Sequence, residues 1–152
     1  ILLICALGRE ANLQIMGKNQ LFKIPILRTF LRKMGVFPVD RGHSDIGAVK
    51  RSIQALKDGF MLMVFPEGTR VRKKNRGARP KGGVAMMAIR AGAKLMPIYI
   101  GTKKRLFAKV PIIFGKPFTP EYTGRKGTVE EYQANADEVI RRAYELGGET
   151  WT

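Results

Sequence analysis

Acidic side chains are scarce in this sequence. Twelve Asp and Glu stand against 28 Lys and Arg, for a net charge of +16. A field of that sign disfavours neutral or cationic partners and draws polyanions and anionic surfaces. Nucleic acid, anionic lipid and phosphorylated or acidic carriers remain as partner classes. Cysteine is nearly absent: Cys5 is alone, so no intrachain disulfide forms. Its apolar setting, "ILLICAL", suits a buried structural thiol and a reducing compartment. No run approaches the ~20 apolar residues of a transmembrane helix, and no secretory signal is visible. Only one histidine, His43, is present.

What is there suits one folded domain. Apolar residues make up 45% of the 152 positions, enough for a full core. No internal repeat and no dividing linker occurs. The chain opens at Ile1, without Met and inside an apolar segment, so the true N-terminus is expected upstream.

Apolar periodicity and turn residues divide the chain into short alternating elements. "ILLICALG" reads as the end of a helix closed by Gly8. "LQIMG" reads as a strand. Pro25 opens a helix with Leu27, Phe30, Leu31 and Met34 on one face and Gly35 as its stop. "VFPV" (36–39) is extended. Ser44 or Asp45 caps a second helix, with Ile46, Val49, Ile53 and Leu56 along one side. "FMLMVF" (60–65) has the length and continuous apolarity of a strand buried on both faces. "GGVAMMAIRAGAK" is a helix ended by Gly92. "LMPIYI" (95–100) and "VPIIFG" (110–115) are further buried strands. Thr128 caps a closing helix with Val129, Tyr132, Ala136, Val139, Ile140 and Ala143 as its stripe. Alternation of this kind predicts an α/β fold, a mixed, largely parallel sheet flanked by helices.

Ligands in such folds gather beyond the carboxyl ends of strands. Asp40-Arg41 and Pro66-Glu67-Gly68-Thr69-Arg70 both fall there. Glu67 is the only acidic residue between Asp58 and Glu121, among fourteen Lys and Arg. Arg41 and Arg70 offer bidentate forks for phosphate oxygens. Gly68 permits close backbone approach and Thr69 adds a hydroxyl. Glu67 orients one arginine or accepts from a ligand hydroxyl, and surrounding cations are expected to keep it ionised. The set suits a small phosphorylated molecule with free hydroxyls. Its ordinary alternative is a surface ion pair between Glu67 and Arg70.

"FPEGTR" resembles a signature block of the glycerolipid acyltransferases, the lysophosphatidic acid acyltransferase family. "GVFPVDRG" (35–42), beginning at Gly35, is similar to the preceding block. "RPKGGVAMMAIRAGAKLMPIYI" (79–100) is similar to the segment in which a Lys-Gly pair, here Lys81-Gly82, opens a helix and a strand carries a proline, here Pro97. The resemblance runs from Ile1 to about Phe118. It implies a glycerol-3-phosphate acyltransferase-like fold over 1–152 as a single acyltransferase domain. The family's first block, a His, four residues and an Asp, supplies the catalytic base and its orienting carboxylate. Here position 48 is Ala48, so His43 does not fit that block. The resemblance therefore places the catalytic pair upstream of Ile1, with no catalytic residue in these 152 positions and the isolated piece inactive.

The same resemblance implies acyl transfer from acyl-CoA or acyl carrier protein to the free hydroxyl of 1-acylglycerol 3-phosphate (lysophosphatidic acid). The product is phosphatidic acid, a step of phospholipid biosynthesis. Arg41, Glu67, Gly68, Thr69 and Arg70 become the acceptor-binding set. Gly35, Pro66, Lys81 and Pro97 support it, with Lys81 either an anion ligand or a solvated helix-start lysine. No metal and no cofactor beyond the acyl donor is implied. The expected location is the cytoplasmic face of a membrane, with an anionic membrane surface as partner. The basic helix from Pro25 either lies on the bilayer or packs on the sheet. A related acyltransferase with another glycerolipid acceptor is the nearest alternative. A basic nucleic-acid-binding module is the reading from another class. Its weakness is that the cations are not interleaved with stacking aromatics, so no nucleic-acid partner is expected.

Overall fold

The computed structural model describes residues 12–39, 45–68, 79–101 and 110–151. Cys5, the "ILLICALG" helix, Asp40, Arg41, His43, Ser44, Thr69, Arg70 and most of the basic loop lie outside the described residues. The chain forms two compact units, Ile1–Val64 and Phe65–Thr152.

In the first unit β1 (Leu13–Lys18) is the middle strand of a parallel sheet. On one side it pairs with β2 (Val36–Val39), Ile15 opposite Val36. On the other it pairs with β3 (Met61–Met63), Leu13 opposite Met61. Parallel neighbours need crossovers, and helices provide them. A 3-10 turn (Asn19–Lys23) and α1 (Pro25–Lys33) join β1 to β2. The helix α2 (Ile46–Lys57) joins β2 to β3. Ile15, Phe22 and Val36 form the buried centre, with Leu13, Leu31, Met34 and Met63 packed against it.

Gly35 makes the α1–β2 corner possible. Its φ is +72°, and a Cβ there would lie 2.5 Å from the Leu13 carbonyl oxygen. The close approach lets the Gly35 carbonyl accept from Ile15 N at 3.0 Å, starting the ladder. Asp45 is the cap of α2, its Oδ1 accepting from Ala48 N at 2.8 Å.

Two apolar stripes differ from expectation. On α2 the buried line is Ala48, Ser52 and Ala55, with Val49, Ile53 and Leu56 half-buried beside it and Ile46 exposed. Small residues let a helix approach its neighbours closely, so they take the centre. Ser52 is fully buried and donates to the Ala48 carbonyl at 2.7 Å, which satisfies its hydroxyl. The "FMLMVF" run is strand only at Met61–Met63 and is not buried on both faces: Met61 and Phe65 are exposed. Among the described residues β3 pairs on one side only, with β1.

In the second unit α3 (Gly83–Ala91) packs on α4 (Val129–Leu146). Ala85, Ala88, Leu95, Val139 and Ile140 form its core, with Phe118, Tyr132, Tyr144 and Trp151 around it. The strands β4 (Ile98–Ile100) and β5 (Ile112–Phe114) pair antiparallel, Tyr99 opposite Ile113. Both are shorter and more exposed than the apolar runs predicted. Thr128 closes a reciprocal capping box with Glu131, as its position before the stripe predicts. Val129 is exposed at the first turn. Asn135 is buried instead. Its side chain accepts from Glu121 N (3.0 Å) and donates to the Glu121 and Glu131 carbonyls (2.7 and 2.8 Å). The α/β class holds: a parallel sheet with helical crossovers in one unit, helices and an antiparallel pair in the other.

Candidate functional site

The site begins as a turn in the second unit. Gly68 N donates to the Phe65 carbonyl at 3.0 Å, which places Pro66 and Glu67 at its centre. Pro suits the second position of such a turn because its φ is already set, and Gly suits the fourth. Gly68 has φ +69°, so a β-carbon here is strained. The Pro66 carbonyl accepts from Lys81 N at 3.0 Å. That bond ties the turn to the residue just before α3. A Cβ added at Gly68 would meet Lys81 Cε at 3.9 Å, so the lysine stem runs beside the turn.

Glu67 points inward. Its Oε1 accepts from the Tyr144 hydroxyl at 3.0 Å. Tyr144 sits in the last turns of α4, its ring packed on the core cluster. Burial pushes the Glu67 carboxyl above its usual value of 4.5, and the tyrosine bond partly opposes that rise. The direction is opposite to the one expected from surrounding cations. Partial desolvation outweighs the stabilisation of the charge.

The residues singled out from the sequence separate into four groups. Glu67, Gly68, Pro66 and Lys81 come together at this turn. Arg41, Thr69 and Arg70 lie outside the described residues, so the paired-guanidinium phosphate site and the Glu67–Arg70 pair do too. Gly35 acts in the first unit, on the backbone of the α1–β2 corner. Pro97 is buried at the start of β4, its carbonyl accepting from Gly115 N at 2.9 Å. Lacking an N–H, it cannot return that bond, and the ladder proper begins one residue later. With Gly115, Lys116, Arg142, Glu145 and Leu146 it lines an open cleft of about 280 Å³.

Sequence reasoning missed Tyr144. The signal was available: Tyr144 follows Ile140 by four positions, on the stripe that turns inward, with a polar tip that needs a partner when buried. Arg142 was also missed. Its guanidinium lies 4.1 Å from the Phe118 ring centroid and donates to Glu138 Oε1 at 2.6 Å. Among the described residues no cluster of three or more His, Cys, Asp and Glu could hold a metal ion. Nor is any described helix long and apolar enough to cross a membrane.

Comparison with known proteins places this geometry in context. The family model described as Acyltransferase matches residues 1–101. A 1-acyl-sn-glycerol-3-phosphate acyltransferase of Bacillus subtilis is 30% identical over 140 residues, covering 89% of this chain and 69% of that protein. The protein of the same name from Streptococcus pneumoniae is 35% identical over 108 residues, 67% of this chain and 39% of its own. Among solved structures, the 1-acyl-sn-glycerophosphate (LPA) acyltransferase PlsC of Thermotoga maritima superposes with a TM-score of 0.65 at 25% identity. The match covers 93% of this chain and 59% of that one.

Proposed function

The chain belongs to the acyltransferase family, and from that premise we propose that the protein acylates 1-acylglycerol 3-phosphate to give phosphatidic acid. The observation that carries the reading is the match over 140 residues to a relative named for that reaction. The Glu67–Gly68 turn, held by Lys81 N just before α3 and by Tyr144 of α4, supports it as a pre-set binding corner.

The reaction forms a C–O bond between the acceptor hydroxyl and a thioester carbonyl and breaks the C–S bond. The hydroxyl proton leaves to a base, and the departing thiolate ends as a thiol. The donor is an acyl-CoA or acyl carrier protein, and no further cofactor takes part. The family's base belongs to a His-x4-Asp block, which these 152 residues do not contain. General base catalysis of that kind contributes ~10²–10⁴-fold. This chain's own share is positioning. To Arg41 and Arg70 we assign the acceptor phosphate and to Thr69 a hydroxyl donor, with Glu67 and Gly68 shaping the pocket. Holding the hydroxyl in attack geometry removes much of the entropic barrier. The positive charge concentrates anionic donor and acceptor at the cytoplasmic face of a membrane.

The test is acyl transfer by the intact protein with lysophosphatidate, glycerol 3-phosphate and lysophosphatidylcholine as competing acceptors. Phosphatidate is the expected product. Exclusive acylation of either other acceptor, or no acyl transfer at all, overturns the assignment.

A further inference from the structure

Helix α1 carries two parallel apolar rows, and the core covers only one of them. Leu27, Leu31 and Met34, spaced by four and three, form the inner row; Leu31 and Met34 pack against the buried centre of the sheet. Ile26 and Phe30 form the outer row, which Lys33 completes at the same spacing. No residue of α1 is buried. Ile26 is 86% exposed and Phe30 48%. Leu21 and Ile24, just before the helix, are exposed as well.

The charge along this stretch of the chain is of one sign. Lys23, Arg28, Arg32 and Lys33 are all exposed on or beside the helix. No acidic residue occurs in the sequence between Glu10 and Asp40. Exposed apolar side chains flanked by cations, with no carboxylate among them, match the interface between acyl chains and anionic head groups. A second copy of the chain matches poorly, because face-to-face contact would press Lys23, Arg28, Arg32 and Lys33 against their own equivalents.

We propose that the outer row of α1, with Leu21, Ile24 and the flanking cations, docks the protein on an anionic lipid surface. Ile26 and Phe30 enter the acyl boundary, and Lys23 and Lys33 meet head-group phosphates. This assigns the membrane partner of the functional reading to one face, yet its test needs no acyl transfer. If it fails, the acyltransferase reading still stands.

The experiment is co-sedimentation of the intact protein with vesicles of phosphatidylcholine, alone or mixed with phosphatidylglycerol. Binding to the mixed vesicles should weaken with salt. Ile26→Gln with Phe30→Gln should weaken it by roughly tenfold or more. Lys23→Gln with Lys33→Gln should weaken it about tenfold on the anionic vesicles alone. A Phe30→Trp variant should be quenched by lipids brominated on their acyl chains, and this arm decides alone should the glutamine pair unfold. Three results overturn the proposal: binding indifferent to both double variants, an unquenched Trp at position 30, or a concentration-dependent dimer that Ile26→Gln with Phe30→Gln dissolves.

Discussion

Replacing Tyr144 with Phe removes one hydroxyl and keeps the ring on the core. The lost bond reaches Glu67 Oε1 across 77 positions of sequence at 3.0 Å. A hydrogen bond to a charged group is worth ~1.5–3 kcal/mol. This one is at the long end for an O–H donor, and its acceptor is only partly buried, so about 1 kcal/mol is the reasonable loss. At 1.4 kcal/mol per factor of ten, that corresponds to roughly fivefold in kcat/KM for lysophosphatidate if Glu67 positions the acceptor corner. The pH dependence has a definite sign. Burial raises the Glu67 carboxyl above 4.5 and the tyrosine bond opposes the rise, so the variant raises it further. A carboxyl with a raised folded-state pKa costs stability as pH climbs from 4.5 through the folded value. The deficit of Tyr144→Phe should therefore be full at neutral pH and close below 4.5. Thiol release from acyl-CoA gives the kinetics, and urea unfolding across pH gives the linkage. Lost stability with wild-type kcat, KM and acid limb would refute the positioning role. An unchanged stability would refute the bond itself.

Other outcomes follow from the same geometry. Gly35→Ala forces an L-residue to φ +72° and a Cβ to 2.5 Å from the Leu13 carbonyl oxygen; a loss above ~2 kcal/mol is expected in urea unfolding. Asn135→Ala strips three hydrogen bonds from a buried position, including those to both backbone polar groups of Glu121. A cost of ~2–3 kcal/mol should appear, with faster amide exchange at Glu121. Hydrogen bonds from Arg141, then from Arg142, hold the Glu138 carboxyl down to about 2. Its contribution is present above 4.5 and fades as pH falls through about 2. Glu138→Gln should cost about 1 kcal/mol at pH 7, because the three side chains are partly exposed. The difference from wild type should narrow on acidification in guanidinium titrations.

Much of the fold is written locally. Asp45 and Thr128 announce helix starts because their oxygens satisfy backbone donors three residues on. Gly35 and Gly92 announce stops because each sits in the left-handed region that side chains avoid. Alternation of such short elements already implies helical crossovers between parallel strands, as β1, β2 and β3 have. The "FPEGTR" block identifies the family, since its turn is a contiguous backbone device of Pro66, Glu67 and Gly68. Depth of burial is not written locally. Ile46 and Val129 share the period of their stripes yet face solvent, and "FMLMVF" is apolar throughout yet exposed at Met61 and Phe65. Only packing decides which of several apolar arcs a neighbour covers, and on α1 it covers half. The partner of Glu67 is likewise a tertiary fact. Sequence surrounds that carboxylate with cations, whereas folding turns it toward a tyrosine 77 positions away, where partial burial raises its pKa rather than lowering it.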